Sequence, residues 1–232
     1  MGKDVIIACD FDSQAKTFAF LEGLGAARPF VKIGMELYYA EGPGIVRALK
    51  QRGHEVFLDL KLYDIPNTVK KTMAVLSDLG ADMLNLHASG TAVMMEAAVE
   101  GLTRPDGSRP LLIAVTMLTS TSEARMQEEL LIGTSLEETV LRYAQNAKRS
   151  GLDGVVCSPL EAAGVHAACG PSFLTVTPGV RFADAEKDDQ ARIMTPEQAK
   201  AIGSDYIVVG RPITAAADPA EAYARCVAGF VG

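Results

Sequence analysis

The stretch Val5-Ile6-Ile7-Ala8-Cys9-Asp10-Phe11-Asp12 decides the fold. Its first five residues are apolar on both faces, as in a strand of a parallel sheet covered by helices. In an open doubly wound sheet the first strand runs into a glycine-rich G-x-G-x-x-G turn. Here that position reads Cys9-Asp10-Phe11-Asp12, without a glycine, which favours the other all-parallel solution, a closed barrel. Seven similar runs follow: Phe30 to Ile33, Val56 to Leu60, Met83 to His87, Leu111 to Thr116, Gly154 to Cys157, Phe173 to Thr177 and Tyr206 to Val209. Eight strands in 232 residues leave roughly 29 residues per unit, in a chain just under the ~250 typical of a (β/α)8 barrel.

Helix signals fill the gaps. Val69, Met73, Leu76 and Leu79 form one apolar stripe before Gly80, and Val140, Tyr143, Ala144 and Ala147 form another before Gly151. Thr195-Pro196-Glu197-Gln198 and Asp218-Pro219-Ala220-Glu221 both read as capping boxes with proline in the first turn, and Gly25 and Gly53 sit where helices should stop. The long unit from Thr116 to Gly154 has room for an extra amphipathic piece around Glu123 to Ile132. The expectation is one α/β domain, a (β/α)8 TIM barrel over residues 1–232, with its chemistry at the C-terminal ends of the strands.

Composition narrows the partners. A net charge of −7 with no Lys/Arg-rich run leaves no electrostatic footprint for nucleic acid or an anionic membrane. No apolar stretch approaches the ~20 residues of a spanning helix, and the first residues hold no signal-peptide core. The expected location is cytoplasmic. Cys9, Cys157, Cys169 and Cys226 lack a C-x-x-C pair, and His54, His87 and His166 stand apart, so no His/Cys metal site is expected.

Polar residues at the ends of apolar strands are the informative feature. They are Asp10, Lys32, the pair in Phe57-Leu58-Asp59-Leu60-Lys61, Asn85-Leu86-His87, and Thr116. Alternation puts Asp59 and Lys61 on one face and Leu58, Leu60 and Leu62 on the other, so the charged pair points into the barrel mouth. Such a pair is a poor stabiliser compared with apolar residues of similar size, which favours a functional reason for it. Asp64, in Tyr63-Asp64-Ile65-Pro66-Asn67-Thr68, reads equally as a helix cap before Pro66 or as a third member of the charged set. Gly210-Arg211-Pro212 after the last strand reads as a phosphate site or as a plain turn, and the barrel assignment favours phosphate. Thr177-Pro178-Gly179-Val180-Arg181 leads into a polar stretch ending at Gln190, read as a mobile flap with Arg181 and Gln190 as anion or amide contacts.

The run Asp59-Leu60-Lys61-Leu62-Tyr63-Asp64-Ile65-Pro66-Asn67-Thr68 resembles the D-x-K-x-x-D-I-P-x-T signature of the orotidine 5′-phosphate decarboxylase family in its bacterial form. The resemblance continues through Val31-Lys32-Ile33-Gly34, Leu118-Thr119-Ser120, Thr177 to Arg181 and Gly210 to Ile213. It implies decarboxylation of orotidine 5′-monophosphate to uridine 5′-monophosphate, without metal or organic cofactor. It also implies a homodimer with shared active sites. Asp59, Lys61 and Lys32 would form a charged array completed by Asp64 of the partner subunit, with Lys61 as proton donor. Asp10 and Lys32 would hold the ribose with Thr68 of the partner subunit, Thr119 would read the pyrimidine, and Arg181, Gln190, Gly210 and Arg211 would hold the phosphate.

Two other readings stand beside this one. A magnesium-dependent barrel enzyme acting on sugar phosphates shares the D-x-K-x-x-D core, with carboxylates on a metal; the Ile65 to Thr68 continuation and Leu118-Thr119-Ser120 argue for the pyrimidine enzyme. A non-catalytic nucleotide-binding barrel is disfavoured by the intact Asp59, Lys61 and Asp64.

Overall fold

A computed structural model describes residues 4–182 and 194–232. Eight strands, β1 (Asp4–Ala8), β2 (Phe30–Gly34), β3 (Val56–Leu62), β4 (Met83–His87), β5 (Leu111–Val115), β6 (Gly154–Val156), β7 (Leu174–Thr177) and β8 (Tyr206–Val209), pair in parallel and in sequence order, and β8 closes on β1. Around them lie α1 (Gln14–Gly23), α2 (Met35–Glu41), α3 (Gly44–Gln51), α4 (Pro66–Ser77), α5 (Thr91–Leu102), α6 (Glu123–Glu129), α7 (Leu136–Arg149), α8 (Ala162–Cys169), α9 (Pro196–Ala201), α10 (Arg211–Thr214) and α11 (Pro219–Phe230). The extra piece expected after Thr116 is α6, capped by Ser122.

Strand alternation divides the core into two apolar layers. Inside the barrel, Ile6, Ala8, Phe30, Phe57, Met83, Ile113, Leu174, Val176, Tyr206 and Val208 pack against one another. Their sequence neighbours, such as Ile7, Val31, Leu58, Leu84 and Ile207, point outward and join the helices in a second cluster. Inward positions one step nearer the C-terminal end on β2, β3 and β4 carry Lys32, Asp59 and Asn85. The same pleat that fills the barrel therefore aims polar groups into its mouth.

The opposite end shows a repeat that single-segment inspection misses. Gly80-Ala81-Asp82, Gly151-Leu152-Asp153 and Gly203-Ser204-Asp205 precede β4, β6 and β8, each with its glycine at φ between +83° and +90°. Each aspartate accepts an amide of the preceding odd strand: Val56 N at 2.7 Å, Leu112 N at 2.7 Å and Thr175 N at 2.8 Å. Lys50, Arg109 and His166 respectively pair with the three carboxylates. The glycine turns the chain at a helix end and the aspartate ties two strand feet together.

Caps follow the expected chemistry with one difference. Thr195 and Gln198 form the reciprocal box at α9, whereas at α11 the structure shows the forward half, Asp218 accepting from the Glu221 amide. Gly25 and Gly53 follow α1 and α3 with positive φ.

At Gly101 helix α5 packs tightly against α4. A Cβ there would overlap the Lys70 carbonyl of α4, beside the Lys70–Glu100 ion pair. Helix propensity favours alanine at this position by about 1 kcal/mol, but overpacking against backbone costs about 3 kcal/mol, so the clash wins. Gly101→Ala should lower Tm by roughly 5 °C, read by thermal unfolding; an unchanged or raised Tm would show that α4 and α5 separate freely.

Candidate active site

The charged side chains at the mouth form one chain of contacts across three strands. Lys32, on β2, places Nζ 2.9 Å from Asp10 Oδ1, just past β1, and 3.3 Å from Asp59 Oδ2 on β3. Asp59 Oδ1 in turn accepts from Lys61 Nζ at 2.6 Å. The order is Asp10, Lys32, Asp59, Lys61, alternating in sign, with Asp10 facing solvent and the middle pair nearly enclosed. Burial works against the Asp59 carboxylate, but Lys32, Lys61 and a hydrogen bond from Asn85 outweigh it and hold its pKa below the usual range. Burial likewise works against the Lys32 ammonium, and Asp59 and Asp10 overcome it, raising its pKa above that of an ordinary lysine.

Strand β3 is not regular where it carries this chemistry. Leu58 pairs with Leu84 and Leu62 with Leu86, so four steps on β3 span two on β4. The excess is absorbed around Lys61, whose φ is +51°. A lysine in this left-handed region costs about 1–2 kcal/mol and needs its surroundings to hold it there. The Lys61 amide donates to Asn85 Oδ1 at 2.8 Å, and Asn85 Nδ2 donates to Asp59 Oδ1 at 2.6 Å. Leu60 and Leu62 still pack outward, so the expected division of faces is present on an irregular backbone.

These residues line a cavity of about 340 Å³ together with Thr119, Arg181, Gly210 and Arg211. Its walls are unlike. The alternating acid and lysine charges come from the β1 to β3 side and two arginines from the loops after β7 and β8, while Val115, Met117, Val156, Val176 and Val208 supply an aliphatic surface on the β5 to β8 side. Gly210 leads into α10, and Arg211 is its first residue. Arg181 sits at the base of a loop whose ends meet, since Arg181 N donates to Met194 O at 3.0 Å and Met194 N to Gly179 O at 3.2 Å. Gln190 and the stretch expected as a flap fall within 183–193, outside the described residues. Among the described residues no group of three or more His, Cys, Asp or Glu is disposed to hold a metal ion.

Asp64 and Thr68 lie apart from this cavity. The cap of α4 is Ile65, and Asp64 Oδ1 accepts from the adjacent Ile65 amide at 2.6 Å, so the structure does not use Asp64 as the helix cap. Asp64 stands on the surface between Tyr63 and Ile65, which are 62% and 67% exposed. A neighbouring groove lined by Tyr63, His87, Leu118, Leu130, Ile132 and Tyr143 shares Met117 and Leu118 with the main cavity. Leu131, beside it in sequence, is 84% exposed.

Comparison with known proteins places this geometry among relatives. The model of the orotidine 5′-phosphate decarboxylase / HUMPS family matches residues 3–226. Orotidine 5′-phosphate decarboxylase of Bacillus caldolyticus is 59% identical over 228 residues, covering 97% of this chain and 93% of that one. The protein of the same name from Geobacillus kaustophilus is 58% identical with the same coverage. Among solved structures, orotidine 5′-phosphate decarboxylase from Lactobacillus acidophilus superposes with a TM-score of 0.89 at 42% identity, covering 99% of this chain and all of that one. An uncharacterised conserved protein from Geobacillus kaustophilus gives 0.87 at 52% identity, covering 97% of this chain and 99% of that one.

Proposed function

Because this chain belongs to the orotidine 5′-phosphate decarboxylase / HUMPS family, we propose that it is a carboxy-lyase that converts orotidine 5′-monophosphate to uridine 5′-monophosphate and CO2, the last step of pyrimidine nucleotide synthesis. The observation that carries the mechanism is the alternating Asp10, Lys32, Asp59, Lys61 chain facing an aliphatic wall across a cavity that Arg181 and Arg211 also line.

Decarboxylation breaks the bond from pyrimidine C6 to its carboxylate and leaves the electron pair on C6, where the ring delocalises it poorly. The Lys61 ammonium stabilises that developing charge and then transfers a proton from Nζ to C6, while CO2 departs into the aliphatic side of the cavity. Lys61, left neutral, regains its proton from water after product release. Asp59 keeps Lys61 aimed and stands beside the substrate carboxylate, where like charges raise the energy of the bound state. The ammonium of Lys32, held charged by Asp59 and Asp10, fixes both carboxylates in place, and Asp10 with Lys32 binds the ribose hydroxyls.

Thr119 reads the pyrimidine edge. Arg181, Gln190, Gly210 and Arg211 bind the phosphate, whose remote contacts supply binding energy for ordering the array. The array is completed by Asp64 of the partner subunit, with Thr68 of the partner subunit on the ribose. What supports this is exposed apolar area: Tyr63 and Ile65 flank Asp64 in sequence, and Tyr63 shares with Leu118 the groove next to the cavity. A closed homodimer buries that area on both copies at once. The proposed location is cytoplasmic; among the described residues no helix is long and apolar enough to cross a membrane.

The direct test follows the loss of orotidine 5′-monophosphate absorbance with purified protein, with and without a chelator. Turnover unchanged by chelation is expected, whereas no turnover, or turnover that needs added magnesium, would overturn the reading. Arg211→Ala removes a charge-assisted phosphate contact of about 3 kcal/mol, so kcat/KM for the nucleotide should fall on the order of 10²-fold. Turnover of the phosphate-free nucleoside should stay level; an equal loss on both substrates would contradict the assignment.

A further inference from the structure

Asn85 stands at a point where one side chain touches both ends of the reacting pair. It is 1% exposed, on an inward position of β4. Its two bonds also dictate the amide's orientation: a backbone N–H can only donate, so Oδ1 faces Lys61 N, and a carboxylate can only accept, so Nδ2 faces Asp59. Lys61 is thereby constrained twice, through its amide by Asn85 and through its Nζ by the carboxylate that Asn85 orients. Nothing in the family-based assignment of roles given above uses this residue.

From this geometry we infer that Asn85 is a positioning residue, which holds the left-handed Lys61 backbone and the Asp59 carboxylate in one arrangement so that the Lys61 ammonium meets pyrimidine C6. The inference rests on the proposed decarboxylation, in which Lys61 is the proton donor. Asn85 does not line the cavity and so acts through its two neighbours. Without it Lys61 loses the acceptor that anchors a strained backbone, and Asp59 Oδ1 keeps the lysine but loses its second donor. The ammonium is then free to settle elsewhere against Asp59. A displacement of about 1 Å at the reacting atom is worth on the order of 10²-fold in rate.

The effect on pH follows from the charges that face this position. They are Asp59 and Lys61 on β3, Lys32 on β2, Asp10 beyond β1, and His87 two residues on in β4. Asn85→Asp keeps the shape and the acceptor for the Lys61 amide, but sets a second carboxylate against Asp59. The new pair accommodates its repulsion by keeping a proton, and that O–H can replace the lost Nδ2 donor until rising pH removes it.

The experiment compares wild type, Asn85→Ala, Asn85→Asp and Lys61→Ala, with folded sites counted by uridine 5′-monophosphate binding. Asn85→Ala should lower kcat on the order of 10²-fold per folded site with nucleotide affinity changed less than about threefold. Asn85→Asp should bind nucleotide and recover rate as pH falls, with its activity lost on the alkaline side well before that of wild type. If Asn85 serves only the fold, Asn85→Ala would bring fewer folded sites at unchanged kcat, and Asn85→Asp would keep the wild-type pH profile. Either result overturns the inference. Lys61→Ala separates the two levels: if it retains turnover, the reading of the reaction fails, whereas if it is dead and the Asn85 variants run at wild-type kcat, only the positioning role fails.

Discussion

Lys61→Ala is expected to lose at least about 10⁵-fold in kcat, because one residue supplies both proton transfer, worth about 10²–10⁴-fold, and stabilisation of charge at C6, worth about 10²–10³-fold. The fold should survive. Asp59 keeps Lys32 at 3.3 Å and Asn85 at 2.6 Å, so the buried carboxylate stays compensated when Lys61 leaves. The measurement is single-turnover decay of substrate absorbance alongside thermal unfolding. A variant with near-wild-type kcat would remove Lys61 from the mechanism, and one that is dead only because it is unfolded would show it in the melt.

The second large effect is a rescue. Asp64 is assigned to the neighbouring subunit's site, so Lys61→Ala and Asp64→Ala homodimers should each be inactive. A heterodimer of the two has one site with both lesions and one site with neither. Tagged differently, co-expressed and purified through both tags, it should run at about half the wild-type rate per dimer. Proven heterodimers no faster than their parents would place Asp64 outside the shared site. The same preparation tests the assembly itself, since a chain that stays monomeric yields nothing through the second tag.

Much of this molecule is legible in its sequence for a simple reason. Parallel strands buried on both faces give short apolar runs that periodicity detects, and the absence of a glycine turn after Ala8 separates the closed sheet from the open one. The ends of strands shifted by a residue or two, as ladder bonds and not composition decide where pairing stops. Asp10, Lys32, Asp59 and Lys61 were visible as charges ending apolar strands, and the cavity gathers them. What sequence reading did not show is the path of β3. Leu58-Asp59-Leu60-Lys61-Leu62 has the pattern of a regular strand, and the irregular backbone at Lys61 is bonded to Asn85, 24 positions away. Asn85 itself carried a signal, a polar residue between Met83-Leu84 and Leu86 in a run otherwise apolar on both faces, but no local pattern tells which backbone it will serve. The cap reading of Asp64 was equally plausible from sequence because Asp, Ile and Pro fit a helix start by composition, and only the observed Ile65 cap sets it aside.

The three aspartates at the strand feet bear on the reaction from the far end of the barrel. Parallel strands can in principle slide past one another, and a slip of one residue would turn every inward side chain outward. Asp82 ties the first amide of β3 to the chain entering β4, only three residues below Asp59 and three below Asn85. It therefore works as a gauge stop for the two strands whose side chains meet at Lys61. Asp153 and Asp205 do the same for the aliphatic strands opposite. The floor of the barrel thus sets the alignment of the chemistry at its mouth without touching substrate, and a lesion there would register as misplaced charge before it registered as an unfolded protein.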